Sequence, residues 1–369
     1  MEISKPSVLD GSLVSSDYVE GGRRELTQSM WRAYGQCPHR FKLNYVDRIV
    51  RTTSAMPLVF GSLIHEMVQA ELLGRPSRHL LVEWTKRMML AVEDGTASFD
   101  ADAVHEHVKL AMSMVQRWKD SPRDFDVLEL DGVPLVEAHA KTQISRSYDY
   151  ANSFDGIIIK GSEIWVWELK TSAISSADEY QRKIQHDPQA WGYVWQCRQL
   201  FGRCDGIVYD VIRKRIPPPV KLLSCRKKKH DGCDCDGTLI KGISNAVKDT
   251  TIERWEDAVE RASESTSGRV QLASGELDDL ERKIRQYDRS YHYRIWQRPD
   301  ELFLSSFEDE IKQLAHELDG RTSYPKMRGN CRLFNRDCSY LPMCPTTGDV
   351  SKLFTTKDGD RPIELEREN

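Results

Sequence analysis

The stretch SFDGIIIKGSEIWVWELKTS, residues 153–172, consists of two apolar runs broken only at Gly161-Ser162. A chain carrying it has to bury a β-hairpin. A two-residue turn at Gly161-Ser162 pairs Lys160 with Glu163 and, counting outward, Asp155 with Glu168. Cross-strand partners have Cβ atoms about 5 Å apart, close enough for two carboxylates to share one divalent cation. Lys170, two residues beyond Glu168, projects from the same face. Because the run IWVW leads into them, Glu168 and Lys170 stand at the end of a buried strand, the alternative being a surface hairpin with a cross-strand salt bridge. Two carboxylates suit Mg²⁺ or Mn²⁺, which polarises a phosphate and acidifies a bound water, while a lysine orients that water or stabilises the developing charge. Phosphodiester hydrolysis is the chemistry this set favours.

The surrounding pattern is α/β. Leu26, Met30, Trp31, Tyr34 and Phe41 recur at helical spacing, with a break at Cys37-Pro38 that predicts two short helices. Further helices are expected after Pro57 and over residues 80–94 and 102–119. Residues 125–170 then alternate as three strands of a meander, with breaks at Asp131-Gly132 and Gly161-Ser162. A helix over about 188–201 and a buried strand at 206–212 follow, and later a strand at 291–297 and a helix at 300–319. Residues 1–24 are polar and predict a loose leader. The segment RKRIPPPVKLLSCRKKKH, from Arg213, holds eight cations and no acid: Arg213, Lys214, Arg215, Lys221, Arg226, Lys227, Lys228 and Lys229. It reads as an extended polycation beside the catalytic face, able to neutralise DNA phosphates. Arg294, Trp296 and Arg298 would add stacking and phosphate contacts.

The net charge of −4 excludes a histone-like polycation but not such a local groove. With 39% apolar and 30% charged residues the chain is globular, and it has no apolar run of about 18 residues to cross a membrane. The acidic, apolar-poor start argues against a secretory signal and makes the cytoplasm the expected compartment. There, nine cysteines read as metal ligands or buried thiols rather than disulfides. Cys331, Cys338 and Cys344 cluster in CRLFNRDCSYLPMC. Cys225, Cys233 and Cys235 with His230 form a second group, either zinc-binding or simply a polar loop, and Cys197 and Cys204 suit buried positions.

Asp155 followed by Glu168-Leu169-Lys170 resembles the signature of the PD-(D/E)xK nuclease superfamily. Ser29-Met30-Trp31 through Cys37-Pro38, Gly61-Ser62-Leu63-Ile64-His65-Glu66 and Gln189-Ala190-Trp191-Gly192-Tyr193 resemble, in order, elements of its RecB-like branch. The likeness extends to iron–sulfur exonucleases of the AddB and CRISPR-associated type, and to phage versions above all. It implies a restriction-endonuclease-like core, a central mixed β-sheet flanked by helices, with a helical N-terminal part and a C-terminal iron–sulfur segment. The expected division is a leader at 1–24, a helical region at 25–124, the nuclease core at 125–212, a basic insertion and helices at 213–288, a strand, helix and cysteine segment at 289–345, and a polar tail at 346–369. By the same resemblance His65, Asp155 and Glu168 are metal ligands, Lys170 is the catalytic lysine, and Gln189 and Tyr193 share a helix face toward the site. Glu137 is a further candidate acid, set against an ordinary strand carboxylate. His65-Glu66 is not a zincin motif, since position 69 is Gln69.

Cys37 joins Cys331, Cys338 and Cys344 only through this resemblance, as ligands of a structural 4Fe–4S cluster that staples the N-terminal helices to the C-terminal segment. Tetrahedral zinc is the competing reading, though its usual two-residue knuckle is absent. The implied function is a Mg²⁺- or Mn²⁺-dependent exonuclease acting on DNA ends or single strands, with a helicase or recombination partner and no membrane. The rivals are a nuclease-fold DNA-binding or assembly protein without turnover, and a zinc-stabilised interaction protein.

Overall fold

The computed structural model describes residues 5–52, 56–174, 176–185, 187–216, 291–333, 336–344 and 353–357. Structure begins inside the expected leader. Asp10 and Gly11, at φ 47° and 74°, turn β1 (Ser7–Leu9) back on β2 (Ser12–Val14). An Asp-Gly pair adopts this left-handed turn at little cost, and polar composition hid the signal. β2 and β3 (Arg24–Leu26) both join the main sheet.

Thr27 caps α1 (Gln28–Gln36) by accepting from the Met30 amide at 3.3 Å. Cys37 ends it, and Pro38 opens α2 (Pro38–Phe41), which runs into a π-turn before β4 (Ile49–Arg51). The three expected helices follow as α3 (Met56–Leu72), α4 (Arg78–Glu93) and α5 (Ala101–Asp120). β5 (Asp126–Val127) is short, and Asp131-Gly132 closes only a small hairpin of β6 (Glu129–Leu130) and β7 (Val133–Pro134).

The meander itself is β8 (Val136–Gln143), β9 (Tyr148–Lys160) and β10 (Glu163–Ser172). Its first long turn falls at 144–147 rather than at Asp131-Gly132, because Ser145 Oγ accepts from the Tyr148 amide at 3.0 Å and from Ser147 at 3.2 Å. A serine turn of this kind lacks the Gly or Pro that marks a break in sequence. The second turn is at Gly161, φ 62°, with Lys160 opposite Glu163 as the spacing predicts. Then come α6 (Ala177–Ile184), α7 (Pro188–Phe201) and β11 (Gly206–Arg213), which lies parallel to β10. β12 (His292–Gln297) is antiparallel to β11 and leads into α8 (Glu301–Leu318).

Among the described residues, one mixed nine-stranded sheet results, with β8, β9, β10 and β11 at its centre. One face packs on α3, α4 and α5 through Trp165, Trp167 and Leu169; the other packs on α7, α8 and α1 through Ile157, Val166 and Ile207. Covered on both sides, α7 is buried almost all round, which erases helical periodicity from its sequence. Gly192 lets it approach β9: a Cβ there would overlap Tyr150 Oη.

Beyond α8 the chain returns to the N-terminal helices. Short β13 (Arg332–Leu333) and β14 (Arg336–Asp337) pair with each other, and β15 (Phe354–Thr356) pairs with β4. Tyr340, Met343 and Phe354 bury against Leu43 and Ile49, and Tyr340 Oη donates to the Ile49 carbonyl at 2.7 Å. The C-terminal segment is thus docked by ordinary packing.

Candidate active site

The β9–β10 ladder ends at Gly156 opposite Trp167. A Cβ there would lie 3.1 Å from the Trp167 ring, tighter than an ordinary contact, so glycine lets the indole sit close. At the next step the side chain of Asp155 replaces a main-chain rung: its Oδ2 accepts from the Leu169 amide at 2.8 Å. The β8–β9 ladder is interrupted at the same level, where Glu137 sits between two paired residues with φ 52°. A non-glycine residue in this region costs on the order of 1–3 kcal/mol, and such strain concentrates at functional sites. Gln69 of α3 hydrogen-bonds Glu137, and His65, one turn earlier on the same helix face, places Nδ1 3.4 Å from Asp155 Oδ1.

On the other side of Asp155, Glu168 is 2% exposed. Its Oε1 accepts from Lys170 Nζ and from Gln189 Nε2, the latter at 3.2 Å. Its Oε2 is buried with no hydrogen-bond partner. Burial, reinforced by the Asp155 charge and only partly offset by Lys170, pushes the Glu168 carboxyl up to about 7. Burial and Asp155 also raise Glu137. For Lys170 burial alone would lower the ammonium's pKa, but the Glu168 charge outweighs it and the balance is upward. His65 behaves alike: burial opposes its protonation, and the Asp155 contact more than compensates.

Asp187 caps α7 by accepting from the Gln189 amide at 3.0 Å, which fixes Gln189 at the helix start. Gln189 Oε1 accepts from Lys170 Nζ at 3.2 Å and its Nε2 donates to Tyr193 Oη at 2.9 Å. Tyr193 is held protonated by burial and by the Glu168 charge. The fold therefore gathers His65, Glu137, Asp155, Glu168, Lys170, Gln189 and Tyr193 around the point where β9 and β10 stop pairing. Gln69 was not legible as part of this group, although its four-residue step from His65 is a visible signal.

Cys37, Cys331, Cys338 and Cys344 all line one cavity of about 330 Å³, and all are free thiols. The Met327 amide points at Cys37 Sγ, 3.4 Å away, and the Cys338 amide donates to the Cys331 carbonyl at 2.7 Å. Burial raises the Cys344 thiol, and the neighbouring sulfurs add to it. Among the described residues, no three His, Cys, Asp or Glu side chains close around a single ion position. Cys197 and Cys204 are buried in the main core.

Of the basic segment, only Arg213, Lys214 and Arg215 are described. Arg213 stacks over Tyr291 at 5.0 Å, and the Lys214 amide donates to the Ser172 carbonyl at 2.7 Å. Lys221, Arg226, Lys227, Lys228 and Lys229 lie outside the described residues, as do Cys225, His230, Cys233 and Cys235. Arg294 and Trp296 are not the surface contacts expected of them. Arg294 pairs with buried Asp210 at 3.2 Å, and Trp296 packs edge-on against Trp165 with ring centroids 4.9 Å apart.

A central mixed sheet flanked by helices, with Asp, Glu and Lys converging where two of its strands stop pairing, is consistent with a restriction-endonuclease-like fold. The chain belongs to the PD-(D/E)XK nuclease superfamily, whose family model matches residues 25–345. Membership points to a metal-dependent nuclease with DNA as substrate, and these nucleases generally use Mg²⁺ or Mn²⁺. No individual curated protein matches the chain. No described helix is long and apolar enough to cross a membrane.

Proposed function

We propose that the chain is a Mg²⁺- or Mn²⁺-dependent exonuclease that degrades DNA from ends or along single strands. The observation that carries this reading is Glu168 Oε2, a carboxylate oxygen buried without a donor beside a second carboxylate. Burying such a group is costly unless a cation completes it. Asp155 and Glu168 are oxygen donors of the kind hard divalent ions prefer, and His65, 3.4 Å from Asp155, and Glu137 are the nearby side chains that would join them on metal binding. When bound, the ion polarises the scissile phosphate and acidifies an attacking water.

The chain's own residues supply the rest. Lys170 offers an ammonium held protonated by Glu168, suited to stabilising charge that builds on the phosphate. Gln189 fixes that lysine and the Glu168 carboxylate relative to each other, and Tyr193 fixes Gln189. The Asp155 contact to the Leu169 amide holds β9 and β10 at one spacing where their ladder stops.

The four cysteines fit a 4Fe–4S cluster in their chemistry. They supply four thiols, from segments far apart in sequence, around one cavity. A cluster of this type needs four such thiolates. Its role would be structural, reinforcing a contact that Tyr340 and Phe354 already make.

Cleavage assays on labelled single- and double-stranded DNA test the activity. Asp155→Ala and Lys170→Ala should each reduce Mg²⁺- or Mn²⁺-dependent hydrolysis by at least about 100-fold while the protein stays folded. Full activity in both variants would refute the assignment.

A further inference from the structure

A polar cavity of about 560 Å³ adjoins the candidate active site, with Gln189 and Tyr193 in the shared wall. Its opposite wall is the start of α1, where Thr27, Gln28, Ser29 and Arg32 line it. The first-turn amides of an α-helix have no acceptors within the helix and favour anions. Thr27 Oγ1 takes the Met30 amide and lies 3.0 Å from Ser29 Oγ. A helix start alone would say little, but Gln28 adds an independent observation. It is 6% exposed and its Oε1 accepts from Tyr150 Oη at 3.0 Å, while its Nε2 is buried with no acceptor. An unpaired buried donor costs about 1–3 kcal/mol, so an acceptor from a ligand would relieve it. Arg32, one turn along, has a half-exposed side chain whose partner is Asp187 at 3.2 Å. Lys141 also lines the cavity and is paired with Glu25 at 2.8 Å.

We infer that this cavity is a phosphodiester-binding subsite, seating a backbone phosphate and its sugar from the DNA strand beside the nucleotide being cut. The inference rests on the nuclease reading above and extends it to strand positioning. Gln28 Nε2 lacks an acceptor, Ser29 Oγ and the Arg32 guanidinium can turn from Thr27 Oγ1 and Asp187 toward a phosphate, Glu25 in the lining is paired with Lys141, and the cavity has room for about one or two nucleotides. A strand leaving it passes Gln189, which touches both Glu168 and Lys170. Contacts of this kind hold the backbone without reading bases, as a sequence-tolerant nuclease requires.

The test is equilibrium binding of a fluorescein-labelled oligothymidylate to the full chain with Ca²⁺ in place of Mg²⁺, across a series of salt concentrations. Gln28→Glu keeps the shape and the acceptor for Tyr150 but swaps the free donor for a carboxylate; it should weaken binding at least about tenfold. Arg32→Gln, on the surface and safe for folding, should weaken binding and flatten the slope of log affinity against log salt by about 0.7. Lys312→Gln, which removes an exposed charge from α8, should change neither. Wild-type binding with both variants indistinguishable from it would overturn the subsite alone. No binding by the wild type would overturn the nucleic-acid reading and the subsite together.

Discussion

Asp210→Asn probes the framework that holds the site. Asp210 is 0% exposed and anchors donors from three elements: Trp118 Nε1 of α5 at 2.9 Å, Trp167 Nε1 of β10 at 3.0 Å, and His292 of β12. Arg294, also on β12, pairs with it at 3.2 Å. Asparagine keeps the shape but loses the charge, and its NH₂ must face a donor whichever way it turns. Removing one partner from a buried ionic group costs about 3–5 kcal/mol, because the other charges are left uncompensated. Equilibrium urea unfolding followed by tryptophan fluorescence measures this directly, two of the reporters being in the cluster. The pH dependence adds a second check. Burial alone would raise the Asp210 carboxyl, but His292 and Arg294 outweigh it and hold it well below its ordinary value of 3.8. A depressed carboxylate contributes stability that is complete above its unfolded value and is lost as pH falls toward the folded one. Wild type and Asp210→Asn should therefore differ most near neutral pH, and the gap should begin to shrink only below about pH 4 and narrow progressively further into acid. A loss under about 1 kcal/mol at pH 7 would refute the reasoning.

Three further outcomes are expected. Because a ligating carboxylate has to be deprotonated and Glu168 titrates near 7, the apparent Mn²⁺ dissociation constant should rise at least about tenfold from pH 8 to pH 6; calorimetry showing a flat profile would count against Glu168 as a ligand. Gly192→Ala forces a methyl onto Tyr150 Oη and to 3.0 Å from the Phe307 ring, and should lower unfolding free energy by about 1–3 kcal/mol. Wild-type protein purified anaerobically should contain iron and acid-labile sulfide, and Cys331→Ser should lose both and melt at a lower temperature; stoichiometric zinc instead would overturn the cluster.

The hairpin was legible because two physical signals coincide in it: an unbroken apolar run on either side of a glycine turn fixes a register, and the register fixes which acids meet. The observed pairing of Lys160 with Glu163 and of Gly156 with Trp167 follows from that run. The α3, α4 and α5 boundaries were equally legible, since each helix has one wet face. Residues 7–14 were not, because four apolar side chains in a polar segment carry less weight than the sheet edge they join. Glu137 is visible as an acid on a strand, but its left-handed backbone depends on how β8 and β9 part company. The Asp210 cluster has no local signature: its donors lie on three elements and come together only when the sheet closes. Arg294 and Trp296 misled for the same reason, since a basic and aromatic strand reads identically whether it faces DNA or an internal carboxylate.

Two buried carboxylates on neighbouring rungs of the β10–β11 pair show why only one of them is a candidate for chemistry. Glu168 lies opposite Tyr209, and Asp210 lies opposite Leu169, so the two side chains leave the sheet on opposite faces. Both are excluded from water. Asp210 is surrounded by indole, imidazole and guanidinium donors, and its charge is stabilised so well that it stays ionised far into acid. Glu168 has donors on one oxygen only and a second carboxylate nearby, so its charge is disfavoured near neutral pH. If burial were the deciding factor, the two would behave alike. The difference is the incomplete set of partners around Glu168: Lys170 and Gln189 meet Oε1, and Oε2 meets none. A metal held as proposed above, between Glu168 and Asp155, would complete it, whereas Asp210 is completed by donors of the protein's own.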